Sequence, residues 1–147
     1  MSMSTRVDSK PLNILLVEDD DGDAAALQRA FRKAKIANPI LRAIDGVQAL
    51  EMLKGTNGKE KAPIPCLLLV DLNMPRMNGL QFVQALREDG DLHHSLVFVL
   101  TTSKREEDKI AAYDLNVAGY ITKATAGQDF LNLVNLVECY WRIVEMP

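Results

Sequence analysis

Reactive side chains stand where short apolar runs of the sequence end. Glu18 and Asp19 follow the first such run, Asp71 follows a later one, and Thr101 and Lys123 follow two more. Three carboxylates held close together cannot all remain ionised without a counter-charge, which a hard divalent cation such as Mg²⁺ can supply. One carboxylate could then attack phosphorus, while the cation and the lysine neutralise phosphoryl oxygens and the hydroxyl donates a hydrogen bond. These residue types favour metal-assisted phosphoryl chemistry, provided that the fold brings them together.

The apolar runs alternate with segments of helical periodicity, and this alternation predicts how the reactive residues are positioned. Short, continuous apolar runs are typical of buried parallel strands, and here they cover residues 13–17, 40–44, 66–70, 96–100 and 118–122. The alternation predicts an α/β fold, a doubly wound (βα)5 unit with a parallel five-stranded sheet and helices on both faces. Ligands of such sheets bind beyond the carboxyl ends of the strands, near the switch in strand order. We therefore expect the reactive residues to converge on that edge.

Composition and charge limit the alternatives. The 147 residues, about half of them apolar, fit one domain, and the net charge of −3 gives no general attraction to nucleic acid. We expect residues 1–11 to be a disordered tail and residues 12–147 to form the domain. Residues 1–11 lack the apolar stretch of a signal peptide, and no apolar run approaches the ~18 residues of a membrane span, so we expect a cytoplasmic protein without membrane contact. Cys66 and Cys139 lie in apolar patterns and are expected to be free, buried thiols.

Four motifs resemble those of the response-regulator receiver domains of two-component signalling. They are LLVEDD (15–20), LLLVDLNMPRMNG (67–79), VLTTS (99–103) and GYITK (119–123), in the order and at the intervals of that family. The resemblance covers about residues 12–146. It implies a flavodoxin-like fold and a signalling switch, in which a sensor histidine kinase or a phosphotransfer protein donates a phosphoryl group and the domain changes shape. It implies no enzyme activity beyond phosphorylation and dephosphorylation of the domain's own aspartate.

The resemblance also assigns roles to the acidic residues. Asp71 matches the phosphoacceptor, Asp19 matches the acid that binds the metal directly, and Glu18 matches its acidic partner. Asn73 matches the position whose backbone carbonyl contributes to the metal site. The implied cofactor is therefore Mg²⁺ or Mn²⁺, held by these three carboxylates and that carbonyl. We interpret Asp20, an additional acid, as a helix cap or a solvated side chain.

The resemblance assigns a phosphate-binding and switching set as well. Thr101 matches the switch hydroxyl, Lys123 the phosphate-pairing lysine, and Tyr120 the aromatic residue whose ring turns inward when Thr101 moves toward the phosphate. Thr102 is larger than the usual residue after the switch threonine, so it would narrow access to the phosphate and slow hydrolysis. Ala124 replaces the proline that usually follows the lysine. A cis peptide bond before a non-proline residue costs roughly 2.5–4 kcal/mol, so we expect a trans bond or a rearranged loop.

The C-terminal segment carries two apolar stripes at helical spacing, whereas one stripe is enough to cover a sheet. We expect a helix from about residue 127 to 145 that forms a homodimer interface, because a monomer would expose a sizeable apolar patch. The interface residues would be Leu133, Leu136, Tyr140 and Trp141. The alternative is a helix that folds back on its own domain. The ending YWRIVEMP and the loop at 54–65 resemble stand-alone receivers that partner bacterial phytochrome histidine kinases.

Two other functions stay open on the sequence. One is a Mg²⁺-dependent phosphohydrolase with an aspartyl nucleophile, although the haloacid-dehalogenase type has a second aspartate where this chain has Asn73. The other is a phosphate-independent scaffold, if the loop at Ala124 leaves the pocket inactive. The acidic cluster alone is as compatible with a solvated turn and helix cap as it is with metal binding. Asp71 at the end of a strand is what favours metal binding.

Overall fold

The computed structural model describes residues 13–62, 66–72, 74, 77–101 and 116–123. Predictions that fall on other residues stay predictions. They concern the tail 1–11 and the bounds of the domain, Asn73, Thr102, Cys139, the Lys123–Ala124 bond, and the C-terminal helix with Leu133, Leu136, Tyr140 and Trp141.

The described residues form one parallel sheet and three helices. The strands are β1 (Asn13–Val17), β2 (Ile40–Ala43), β3 (Cys66–Asp71), β4 (Leu96–Thr101) and β5 (Gly119–Thr122). The helices are α1 (Asp21–Lys33), α2 (Gly46–Lys54) and α3 (Gly79–Glu88). The strand order is β2-β1-β3-β4-β5, with all four neighbouring pairs parallel. This order, with its switch between β1 and β3, is that of the flavodoxin-like doubly wound sheet and confirms the predicted fold class.

Helices cover both faces of the sheet. Alternate strand residues point to opposite faces, so the continuous apolar strands present an apolar surface on each side. On one face α1 buries Phe31 against a cluster that includes Leu16 of β1. On the other face α3 buries Phe82 in a cluster that includes Val17 and Leu53 of α2. The predicted three-layer packing is therefore confirmed.

The strand ends differ by single residues from the predicted ones. β3 and β4 extend to Asp71 and Thr101, because the hydrogen-bonded ladder continues through both residues. β2 stops at Ala43. The Ile44 N–H leaves the ladder and donates to Gln48 Oε1 at 2.8 Å. The extra ladder residues matter for function, because they hold two of the predicted site residues in the rigid sheet.

Side-chain caps start the helices close to these strand ends. Asp20 accepts a hydrogen bond from the Asp23 N–H at 2.7 Å and caps α1, as interpreted from the sequence. Asp45 caps α2, and Asn78 caps α3 within a capping box. Each cap satisfies backbone N–H groups that the first helical turn leaves unpaired. The connections from β1 to α1 and from β2 to α2 can therefore be short.

Two expectations from composition can be compared with the described residues. Cys66, at the start of β3, is a free and partly buried thiol. Within the described part of the chain, no helix has the length and apolar character that crossing a membrane requires.

Candidate functional site

Three carboxylates meet at the carboxyl ends of β1 and β3. Glu18 and Asp19 follow β1 and Asp71 ends β3, and each can offer an oxygen within 4.8 Å of the others. The two strands are neighbours, with Val17 opposite Val70, so the residues after these positions lie side by side. Glu18 and Asp71 are 0% and 4% exposed, whereas Asp19 is half-buried. The structure thus brings these three residues together at the switch in strand order.

Lys123 follows β5 and extends its ammonium group to the acids. Its Nζ lies 3.0 Å from Glu18 Oε1, 3.0 Å from Asp23 Oδ2 and 3.3 Å from Asp71 Oδ1. Only 20% of the lysine side chain is exposed, so its ion pairs with the buried Glu18 and Asp71 are poorly screened by water. One cation is therefore shared among three carboxylates, two of which are buried.

Burial and charge together shift the pKa values in this cluster. Burial raises the pKa of Glu18 to about 7, and the negative charge of Asp71 adds to the increase, although the Lys123 ammonium opposes it. Burial lowers the pKa of Lys123, but its contacts with the carboxylates outweigh burial and hold that pKa above its usual range. The lysine is therefore charged at neutral pH. The buried Glu18 carboxylate is not fully compensated by it, and a second cation would stabilise the ionised form.

The donor set fits a hard divalent cation. Glu18, Asp19 and Asp71 present carboxylate oxygens, which are the ligands that Mg²⁺ and Mn²⁺ prefer. Among the described residues, no cysteine or histidine joins this group. The partial exposure of Asp19 gives access to water, and Mg²⁺ usually keeps several waters as ligands.

Thr101 lies on β4, which is next to β3, and Tyr120 lies on β5, the edge strand beyond β4. Thr101 ends β4 and is 0% exposed, and its Oγ1 makes no hydrogen bond with the described residues. A buried hydroxyl without a partner is unfavourable, and an oxyanion bound at this edge could accept its hydrogen. Tyr120 on β5 is 36% exposed. The predicted switch residues are therefore a buried hydroxyl and a ring that reaches solvent.

Gly79 lets the loop after β3 pack against the backbone of Asp71. Its N–H donates to the Leu72 carbonyl at 3.0 Å. A Cβ atom at this position would collide with the Asp71 carbonyl oxygen and lie 2.8 Å from the Leu72 Cα. The requirement is a close approach of two backbones, which only glycine permits here.

Two further residues contact this site and did not emerge from the sequence. Asp23 meets Lys123, and Arg42 donates hydrogen bonds to the backbone carbonyls of Glu18 and Asp19. An acid in the first turn of a helix is already explained by the helix dipole, so Asp23 gave no separate signal. Arg42 did give one, because a charged residue within a short apolar strand needs a specific partner.

Comparisons with known proteins agree with this geometry. The family model for the response regulator receiver domain matches residues 14–135. Response regulator Rcp1 of Synechocystis sp. is 35% identical over 131 residues, which are 89% of this chain and 89% of Rcp1. The Mn²⁺-bound form of Rcp1 superposes with a TM-score of 0.67 at 35% identity, over 89% of this chain and 94% of that structure. The phosphorylated cyanobacterial phytochrome response regulator RcpA superposes with a TM-score of 0.70 at 30% identity, over 93% of this chain and 98% of that structure.

These relatives confirm the resemblance to phytochrome-associated response regulators that the motifs indicate. The family model spans most of the chain, and the fold, strand order and acidic cluster agree with it. The chain belongs to the response regulator receiver domain family of two-component signalling.

Proposed function

We propose that Asp71 accepts a phosphoryl group from a sensor histidine kinase or a phosphotransfer protein. The observation that carries this proposal is the position of Asp71, a buried carboxylate that ends β3 beside two more carboxylates and 3.3 Å from the Lys123 ammonium. No described residue other than Asp71 combines a carboxylate in the sheet with both a metal-type donor set and a partly buried cation.

In the proposed reaction an Asp71 carboxylate oxygen attacks the phosphorus of a phosphohistidine. The O–P bond forms as the N–P bond breaks, and the electron pair of the broken bond returns to the imidazole nitrogen. The products are an acyl phosphate on Asp71 and a free histidine on the donor. Attack of water on that phosphorus later breaks the Asp71 O–P bond, which releases inorganic phosphate and restores the carboxylate. Within this protein the two steps change only Asp71, which is phosphorylated and then restored, so we propose a switch and not an enzyme that turns over an external substrate.

The residues of the site have distinct parts in this reaction. Glu18, Asp19 and Asp71, with the carbonyl of Asn73, would hold Mg²⁺ or Mn²⁺. The bound cation would neutralise charge on the phosphoryl oxygens. The Mn²⁺-bound form of Rcp1 supports a cation of this type. Lys123 pairs with a phosphoryl oxygen from its place beside Asp71 Oδ1, and Thr101 supplies a hydrogen bond from its hydroxyl, which has no partner among the described residues.

The switch follows from the same hydrogen bond. When Thr101 moves toward the phosphate, space opens behind it, and the exposed Tyr120 ring turns inward from β5. Thr102 would narrow access to the acyl phosphate and so prolong the phosphorylated state. The surface around β5 then differs between the two states, and a protein partner can distinguish them.

The proposed partners follow from the relatives. RcpA is a phytochrome response regulator, so the phosphodonor proposed here is a phytochrome-type histidine kinase. We also propose that the protein acts in the cytoplasm. We further propose a homodimer through Leu133, Leu136, Tyr140 and Trp141. Light scattering of Trp141→Glu beside the wild type tests it, and equal monomer masses for both would remove the dimer.

Intact-mass measurement with acetyl phosphate tests the phosphoacceptor. In the presence of Mg²⁺, the wild-type chain should gain the mass of one phosphoryl group, while Asp71→Asn and an EDTA-treated sample should not. Release of inorganic phosphate at high turnover without an adduct would instead support a phosphohydrolase. An unchanged mass with acetyl phosphate and with a phosphorylated kinase would support a phosphate-independent scaffold.

A further inference from the structure

Arg42 binds the backbone of the loop that carries two of the site's acids. Its Nε donates to the Glu18 carbonyl at 3.0 Å, and its Nη2 donates to the Glu18 carbonyl at 2.9 Å and to the Asp19 carbonyl at 3.1 Å. Its Nη1 meets Asp21 Oδ1 at 2.7 Å. The four contacts use both sides of the planar guanidinium fork, and three of them go to main-chain oxygens.

The position of Arg42 in the sheet explains how it reaches this loop. It lies on the edge strand β2 opposite Leu16 of β1, two residues before Glu18. The next residue of β2, Ala43, accepts a hydrogen bond from the Glu18 N–H at 3.0 Å. Residues of β2 therefore hold Glu18 at both its amide and its carbonyl.

The two carbonyls held by Arg42 belong to the peptide units on either side of Asp19. Peptide units are planar, so hydrogen bonds to the carbonyls of both units restrict φ and ψ of the residue between them. The direction of the Asp19 Cα–Cβ bond is then restricted as well. In this way a residue that touches neither carboxylate sets where the Asp19 carboxylate can point.

The ion pair with Asp21 does not account for the arrangement. The Asp21 side chain is 92% exposed, whereas that of Arg42 is 23% exposed. Ion pairs with a fully solvated partner contribute little, because water screens the attraction and the long side chains lose freedom. The bonds to the carbonyls, which approach the buried site, are the stronger reason for an arginine at this position.

We propose that Arg42 is a positioning residue for the divalent-metal site, holding the Glu18–Asp19 backbone so that the Asp19 carboxylate is aimed at the cation. This inference rests on the proposed function, because it concerns the metal that supports phosphorylation of Asp71. Metal affinity depends on such outer contacts to the ligands, and their loss typically weakens binding about 10-fold or more.

If Arg42 acted only through its positive charge, its replacement would change the metal affinity in the opposite direction. The direction of the change therefore distinguishes the two explanations. A guanidinium near a cation site repels the cation, so an arginine that acted only through its charge would weaken metal binding. Arg42→Lys keeps the positive charge but removes the planar set of guanidinium N–H donors, whereas Arg42→Met removes both. If Arg42 positions the loop, both variants bind Mg²⁺ more weakly. If it acts by charge, Arg42→Met binds Mg²⁺ more tightly and Arg42→Lys resembles the wild type.

Arg87 provides a matched control. It donates to the carbonyls of His93, Ser95 and Asn116, at 3.0, 2.8 and 3.0 Å, before the first residues of β4 and β5 and thus at the opposite edge of the sheet. Arg87→Lys therefore also removes an arginine that clamps backbone carbonyls, but far from the metal ligands.

The experiment is titration of Mg²⁺ into the unphosphorylated full chain by calorimetry, repeated with Mn²⁺ by electron paramagnetic resonance, beside thermal unfolding in EDTA. We expect Arg42→Lys and Arg42→Met to raise the metal Kd about 10-fold and Arg87→Lys to leave it unchanged. Equal weakening in Arg42→Lys and Arg87→Lys would show general destabilisation and overturn the proposal, as would an unchanged Kd in Arg42→Lys. Absence of metal binding by the wild type would refute the metal site of the proposed function itself.

Discussion

Lys123 and Asp23, a hundred residues apart in the chain, form an ion pair in which Nζ lies 3.0 Å from Oδ2. Asp23 is in the first turn of α1, and Lys123 follows β5. The same ammonium group contacts Glu18 and Asp71, so a helix, the sheet and two buried acids share one charge. A phosphoryl group on Asp71 would have to compete for this lysine. We therefore expect Asp23 to oppose phosphorylation, and it is not one of the three carboxylates that could hold the metal.

Replacing Asp23 with asparagine should speed phosphorylation. The change frees Lys123 from one partner and removes a negative charge near the incoming phosphodonor. Repulsion between two charges about 6 Å apart in water is roughly 0.7 kcal/mol, which corresponds to about a threefold faster reaction. The initial rate of adduct formation with acetyl phosphate, followed by intact mass, measures this effect.

Asp21→Asn is the control for that variant. Asp21 lies in the same first turn, but its carboxylate contacts Arg42 and not Lys123. Each substitution should cost about 0.3–1 kcal/mol in unfolding free energy through the helix dipole. Only Asp23→Asn should raise the rate, and equal rates in the two variants would remove the role given to the Lys123–Asp23 pair.

The sequence predicts that the main residues of this site lie close together, but it does not predict the contacts that Arg42 and Asp23 make with them. Parallel strands place all their carboxyl ends on one edge, so the order of apolar runs is enough to bring Glu18, Asp71 and Lys123 to one region. The bonds from Arg42 and to Asp23 depend on the reach and rotamers of long or exposed side chains. Such choices are made by local geometry in the folded state, and hydrophobic periodicity contains no record of them.

Gly79→Ala should destabilise the protein and impair the site. The added methyl group would meet the Asp71 carbonyl and the Leu72 Cα, and relief of that collision must move the backbone of the phosphoacceptor. Overpacking of this kind costs about 1–3 kcal/mol. Urea unfolding measures the loss, and the rate of adduct formation should fall with it.

Gly90→Ala is the control for Gly79→Ala, because Gly90 follows α3 and lies outside the loop after β3. A Cβ at Gly90 would meet no atom within 4 Å, so the change should alter the unfolding free energy by less than about 0.5 kcal/mol. Equal stability of the two alanine variants would mean that the loop yields easily and that Gly79 is not needed for the backbone contact.

Asp19 and Asp20 are adjacent acids with different expected roles. Asp20 is exposed and caps α1, and asparagine caps a helix about as well as aspartate. Asp20→Asn should therefore change the Mg²⁺ Kd less than about threefold, whereas Asp19→Asn removes a carboxylate ligand and should raise it about 10-fold or more. Calorimetric titration distinguishes the two. A larger loss in Asp20→Asn than in Asp19→Asn would exchange their assignments.

Cys66 should be a slow-reacting thiol in the folded protein. Burial raises the pKa of the Cys66 thiol to about 11. At pH 9 the folded protein then has a small thiolate fraction, while an unfolded chain with an ordinary thiol pKa near 8.5 is mostly ionised. Reaction with a disulfide reagent at pH 9 should therefore be at least about 50-fold slower than in denaturant. The measurement uses Cys139→Ser, so that only Cys66 reports.

The same pKa shift of Cys66 makes the free energy of unfolding decrease at alkaline pH. The folded-state pKa lies above the unfolded one, so the unfolded chain releases its proton first. Stability is therefore lost as the pH rises from the unfolded pKa, near 8.5, to the folded pKa, about 11. Cys66→Ala should reduce this alkaline loss, and an unchanged slope of unfolding free energy against pH above 9 would show that Cys66 does not contribute to it.

Thr101→Ala should separate phosphorylation from the change in shape. Asp71, its neighbouring acids and Lys123 remain, so the adduct should still form, with a lower rate because one hydrogen-bond donor is missing. Without the Thr101 hydroxyl, however, the side chain at this position does not move toward the phosphate and no space opens for the Tyr120 ring. The ring should therefore stay as exposed as in the unphosphorylated protein. Fluorotyrosine labelling makes this visible by ¹⁹F NMR, with Tyr120→Phe assigning the signal. In the wild type the Tyr120 resonance should shift and lose its solvent isotope effect when acetyl phosphate and Mg²⁺ are added. In Thr101→Ala it should do neither while intact mass shows the adduct, and an identical shift in both proteins would mean that the ring responds to the phosphate by a route that bypasses Thr101.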